Sequence, residues 1–289
     1  MMNYPTLFES ADAASNRSQW RFLALVRLEY GLLIVTAFFS LGWSDTRAYF
    51  AAYAIVFASS MIVMLYRSIK KPERTWYQAR ALSESVKTLS WRFAMRAEPF
   101  DDAKSSDARR DFRDLLSDVL KANHSIGDAL SGLELGGEQL PSAMQEMREK
   151  KLEERRAFYL LHRITDQQVW YQKKAKANSS AAQWWVAISC VAYGLGLVFI
   201  LTRIVNPTFV GWPTEPLVVF ASAAIGWTQI KKFNELAAAY TLTAQEIGLV
   251  KSRIEDAKTS GEFSAAVNEA ELAFSREHTQ WAARQQQGN

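Results

Sequence analysis

The sequence predicts an all-α integral membrane protein, with four transmembrane helices in two hairpins and long helices outside the bilayer. Three observations carry this. Charged residues make up 22% of the 289 residues, but they are segregated into blocks between apolar windows near the roughly 20 residues a bilayer crossing needs. The uncharged windows are 30–44, 48–66, 184–202 and 216–230. The polar segments between them repeat apolar residues three and four apart, the signature of amphipathic helices.

The net charge is +4, too small an excess to point to nucleic acid as a partner. The basic residues cluster beside the apolar runs, as membrane topology requires. No short apolar core followed by a small-residue cleavage site marks a signal peptide. The one cysteine, Cys190, lies inside an apolar run and excludes an intrachain disulfide.

Residues 1–17 read as a loose leader. A first two-span unit follows over 18–97, with spans near 22–44 and 48–66. The window 30–44 is about 22 Å of helix, shorter than a hydrocarbon core of about 30 Å. The span must therefore begin near Phe22, which places Arg27 and Glu29 at the interface or against protein; lining a polar interior is the alternative for Glu29. Trp43 to Arg47 forms the turn. Ala54 and Ala58 give the second span a small-residue face for helix packing. Arg67, Lys70, Lys71 and Arg74 follow, and Arg17, Arg21 and Arg27 precede, so both hairpin ends face the cytoplasm. Pro72 then opens a helix to about Ala97, striped by Ala79, Leu82, Val86, Leu89 and Phe93.

Residues 98–141 are a polar linker or insert with one short amphipathic helix around Phe112, Leu116 and Leu120. A second two-span unit occupies 142–258, with spans near 184–202 and 212–230. It opens on one long helix from Ser142 to about Asn178, whose dense charges at 148–156 read as a solvated or coiled-coil face. Ala192 with Gly196, and Ser222 with Gly226, are its small-residue pairs. Lys231 and Lys232 return the chain to the cytoplasm. The stripe Phe233, Leu236, Tyr240, Ile247, Val250, Ile254 is heptad-like and predicts an oligomer seam. Residues 259–289 form a final amphipathic helix.

The two units echo one another, and both second spans end in Ile-Lys-Lys, at 69–71 and 230–232. The entrance Asp166-Gln-Gln-Val-Trp170-Tyr171-Gln-Lys-Lys-Ala-Lys-Ala-Asn178 resembles the SLATT family, and 72–93, with Trp76, Arg80, Glu84 and Trp91, resembles another subgroup of it. The resemblance implies a two-span bacterial membrane effector of anti-phage systems, acting beside nucleotide-synthesising or nucleotide-sensing partners. It implies pore formation in the inner membrane, a homo-oligomer, and arrest of the infected cell. Trp76, Arg80, Glu84, Trp170, Tyr171 and Asn178 then stand as signature positions at the membrane boundary. The family assigns no catalytic residue and no cofactor. The sequence itself has no phosphate-binding loop, nucleophile elbow or metal-ligand spacing. His124, His162 and His278 stand far apart. A non-lytic scaffold or sensor that recruits soluble proteins is the alternative, and a small channel or transporter is the third.

Overall fold

A computed structural model describes residues 2–101, 104–123, 126–130, 137–208 and 211–286; Gly132, Gly136 and His124 lie outside these. The described chain is helical throughout and contains no strand. Its helices are α1 (Thr6–Phe39), α2 (Arg47–Lys70), α3 (Pro72–Met95), α4 (Ser105–Ala122), α5 (Gly127–Leu130), α6 (Ser142–Glu149) and α7 (Leu152–Tyr159). A π-helical stretch (Leu160–Thr165) then leads directly into α8 (Asp166–Val205), followed by α9 (Thr214–Lys231), α10 (Phe233–Asp256) and α11 (Ser260–Gln286).

The chain divides into two compact units. One, here the polar unit, comprises Met1–Gln19, Glu73–Lys174 and Ala239–Asn289. Its core joins the stripe of α3 to Phe100, Phe112, Tyr159, Ile247, Ile254, Phe263 and Phe274. The N-terminal residues belong to this core, contrary to the loose leader expected for 1–17. Ala11 and Ala14 are buried, and Trp91 Nε1 donates to the Tyr4 hydroxyl at 2.9 Å. The buried face of early α1 is built from Ser10, Ala11, Ala14, Ser15 and Ser18. Such small residues carry little hydropathy but permit close helix approach.

The charged segment 148–156 keeps Glu149, Lys150, Lys151, Glu153 and Glu154 exposed but turns two arginines inward. Arg148 and Arg155 are both 4% exposed. The Arg148 guanidinium donates to the Phe93 carbonyl at 2.9 Å and that of Arg155 to the Met95 carbonyl. They satisfy carbonyls that the end of α3 leaves without intrahelical donors. The predicted single helix from Ser142 is broken at Lys150–Lys151 and widened at 160–165. A reciprocal capping box starts α11: Thr259 Oγ1 accepts from the Glu262 amide, and Glu262 Oε2 accepts from the Lys258 and Thr259 amides. Thr259→Ala should cost about 1 kcal/mol in chemical unfolding.

The other unit comprises Trp20–Pro72 and Ala175–Ala238. Its surface is apolar: Phe50, Ile55, Phe57, Ile62, Val191 and Leu197 are each more than half exposed. Exposed apolar area on this scale marks contact with lipid. Among the described residues three helices are long and apolar enough to cross a membrane: Thr6–Phe39, Arg47–Met95 and Leu152–Val205. The 18-residue α9, expected as a fourth span, is not among them.

Both second helices of the hairpins end alike. Lys71 (φ 43°) and Lys232 (φ 49°) are left-handed, and each amide still closes the preceding turn, at 2.9 Å to Arg67 and 2.8 Å to Thr228. The repeated Ile-Lys-Lys is thus a repeated helix break.

Candidate functional site

Two clusters pair charges across packed helices, one pair fully buried and the other half-buried. The first lies in the polar unit at the π-helical stretch. There Arg163 and Glu271 are 1% and 0% exposed. Arg163 Nε donates to Glu271 Oε1 at 2.8 Å and Nη2 to Oε2 at 2.6 Å. This bidentate fork is the strongest geometry open to the pair. Tyr159 donates its hydroxyl to Glu271 Oε1 at 2.9 Å. The guanidinium also packs over Phe274 at 4.6 Å and Trp91 at 5.9 Å. Burial and then the Glu271 carboxylate push the Tyr159 phenol well above its ordinary value, so it remains a donor. Glu271 outweighs the desolvation of Arg163 and keeps the guanidinium cationic.

Lys87 sits half-buried beside this pair, its ammonium pulled down by burial and then by Arg163. A lowered folded-state value means the unfolded chain binds the Lys87 proton more tightly. Stability therefore rises with pH between the folded and unfolded values. Lys87→Met should raise the melting temperature at neutral pH and remove that part of the alkaline rise, as thermal scans at several pH values would register.

The second cluster lies in the apolar-surfaced unit and clasps the first hairpin. At one end the Tyr49 hydroxyl donates to the Phe39 carbonyl at 2.6 Å, and Tyr53 stacks on Phe39 at 5.8 Å. At the other, Arg67 Nη2 lies 2.9 Å from Glu29 Oε2. Side chains tilt toward the N-terminus of their own helix, so in antiparallel α1 and α2 these two reach toward each other. Arg27 is exposed and lies over the Trp227 ring at 5.2 Å, and Trp185 packs on that ring at 6.3 Å.

The predicted packing positions divide. Ala192 is buried, and a Cβ on Gly226 would come 2.4 Å from the Tyr30 hydroxyl. Gly196 has nothing within 4 Å of such a Cβ. Ala54 and Ser222 are exposed and Ala58 is half-exposed; the buried small residues of α2 and α9 are Ser60, Ala221 and Ala224. Gly226→Ala should destabilise the spans by about 1–3 kcal/mol through overpacking, with partial rescue by Tyr30→Phe, in unfolding from detergent micelles.

The stripe predicted as an oligomer seam is used within the chain itself. Phe233, Ile247, Val250 and Ile254 are buried and Leu236 and Tyr240 half-buried; Tyr240, Ile247, Val250 and Ile254 pack with the core of the polar unit. The outward leucines of α10 are Leu242 and Leu249. The signature residues pair locally. Trp76 stacks on Tyr77 at 4.6 Å; Arg80 bridges to Glu84 at 2.8 Å and lies 3.8 Å from Asp12. Trp170, Tyr171 and Tyr240 form an aromatic triad with centroid separations of 5.0, 5.5 and 5.6 Å. Lys174 sits over Trp170 at 5.7 Å, and Asn178 is half-buried on the same helix. Glu271, Arg163, Tyr4 and Tyr159 carry no sequence signal that singles them out. Among the described residues no His, Cys, Asp and Glu group could hold a metal ion.

Long helices with exposed apolar surfaces define a helical membrane protein. Residues 5–156 match the model of SMODS and SLOG-associating 2TM effector domain 3, and residues 159–281 match that of SMODS and SLOG-associating 2TM effector domain 1. The chain belongs to this family, SLATT, and carries two of its domains in tandem. SLATT domains are associated with bacterial conflict systems as membrane effectors. The first match takes in the segment 98–141, where Phe112 and Leu116 of α4 are buried. No curated protein and no solved structure matches the chain.

Proposed function

We propose that this chain is a non-enzymatic effector of anti-phage defence that permeabilises the bacterial inner membrane once its polar unit is engaged. Both termini lie in the cytoplasm, and the spans form two hairpins. The fourth span is α9, about 27 Å long at 1.5 Å per residue and uncharged from Pro216 to Ile230. It approaches a hydrocarbon core of about 30 Å. The active form is a homo-oligomer, and the trigger is a nucleotide-synthesising or nucleotide-sensing partner protein.

One observation carries this reading: two of the spanning helices, α1 and α8, continue without a break into buried positions of the polar unit. Helix α1 contributes Ala11 and Ala14 to that core, and α8 contributes Tyr171. Rearrangement of the core therefore acts directly on the helices in lipid. Expression of the protein with its genomic partner, followed by dye entry and membrane-potential recordings, tests it. Depolarisation with dye entry is expected; an intact potential under every activating partner rejects it. The exposed Leu242 and Leu249 favour one other reading, a non-lytic scaffold that docks soluble proteins. It predicts stable complexes without conductance.

A further inference from the structure

We propose that the break at Lys232 is a releasable hinge, whereas its counterpart at Lys71 is a fixed elbow. The two residues share a tripeptide, a left-handed backbone and the same closing hydrogen bond. Their C-terminal neighbours differ: Lys71 precedes Pro72 and Lys232 precedes Phe233. Proline excludes the preceding residue from the right-handed helical region by clash with its Cδ. Lys71 is therefore held from relaxing into helix at a cost that Lys232 does not meet, and Pro72 suits the first position of α3, where no intrahelical amide is needed.

No such block exists at Lys232. An L side chain in the left-handed region is disfavoured relative to the right-handed helix, so the local preference is to straighten. Straightening would fuse α9 and α10 over 214–256, about 64 Å of helix, and let the amides of 233–235 join the helical ladder. Packing holds the bend instead. Phe233 is buried at the start of α10, and Ile247, Val250 and Ile254 seat its far end. The Lys232 ammonium lies 3.6 Å from Glu235 across the break. A signal that unseats this face of α10 removes what opposes straightening. The same stripe that resembles an oligomer seam then becomes available to a second copy as the helix extends.

The test uses the full chain in lipid nanodiscs, with Cys190→Ser and spin labels at Ser222 and Gln245, both exposed. A fused helix places these backbone positions about 34 Å apart, and a bent one brings them closer. Lys232→Val, which penalises the left-handed form further, should populate the long distance. Lys232→Gly should deplete it about fivefold relative to Lys232→Gln, the charge control, because glycine loses about 1 kcal/mol of left-handed penalty. At the elbow, with labels at Ile55 and Arg74, Lys71→Val should leave the distance unchanged, while Lys71→Val with Pro72→Ala should lengthen it. Identical distance distributions for the valine and glycine variants at Lys232 would overturn the hinge. If Lys232→Val does not fold, the glycine and glutamine variants still decide it. The consequence for permeability rests on the effector reading: Lys232→Val should raise dye leakage and Lys232→Gly suppress it. Distances that shift while no variant leaks reject that reading and leave the hinge standing.

Discussion

Glu271→Ala should lower the unfolding free energy of the polar unit by about 3–5 kcal/mol, the usual cost of stranding one partner of a buried ion pair. Arg163 would keep its charge at 1% exposure with two hydrogen bonds lost and only the faces of Phe274 and Trp91 beside it. Tyr159 would lose its acceptor as well. Replacing both partners, Arg163→Met with Glu271→Leu, should recover most of the loss, because well-packed apolar residues often match a buried pair. Thermal unfolding of the three variants in detergent checks this. A double variant as unstable as the single one would mean that the network holds the fold by hydrogen bonding alone. Glu271→Gln should lie between, since it keeps an acceptor for Tyr159 but leaves the guanidinium uncompensated.

Glu29→Ala should weaken the first hairpin by about 1–3 kcal/mol, the cost of leaving the half-buried Arg67 guanidinium unsatisfied. Glu29 is about 15 Å along α1 from Phe39, where the hairpin turns, and Arg67 about 30 Å along α2 from Arg47, so each side chain leans along its helix to reach the other. The Arg67 Nε is already buried without a hydrogen-bond partner, so the Glu29 carboxylate 2.9 Å from its Nη2 is what compensates its charge at the end of the span. Arg67 can partly escape by snorkelling toward the near interface, which would pull it from α1 and open the hairpin. The charge swap Glu29→Arg with Arg67→Glu should restore membrane insertion and protease resistance of the hairpin. Failure of the swap, with Glu29→Gln tolerated, would assign the effect to the shape of the site rather than its charge.

The division between what the residues disclose and what they conceal is physical. The spans, the Ile-Lys-Lys ends and the stripes of α3 and α10 are legible because apolar periodicity acts over one or two turns. The packed start of α1 is not, since its contacts come from alanine and serine, whose hydropathy differs little from that of a loose leader. The run at 148–156 has the pattern of a solvated face, because burial of Arg148 and Arg155 depends on the carbonyl ends of α3, more than 50 residues away in sequence. The Arg163–Glu271 fork joins residues 108 apart, and neither has a local pattern that names its partner. The stripe of α10 is plainly apolar yet resembles a seam for a second copy, because periodicity reports that a face is covered and not by what.

The π-helical stretch at 160–165 adds a rotational consequence. Helical position advances about 100° per residue in an α-helix and less in a wider turn. The stretch therefore resets the angular phase between α7, which presents Arg155 and Tyr159 to the core, and α8, which presents apolar residues to lipid. Ordinary winding over the same six residues would swing all of Asp166–Val205 by about 100°, a rotation that loss of a single residue would mostly cancel. Trp185 and Ala192 would turn away from their neighbours while the sequence of the span stayed unchanged. The orientation of a membrane helix is in this way written in six residues outside the membrane.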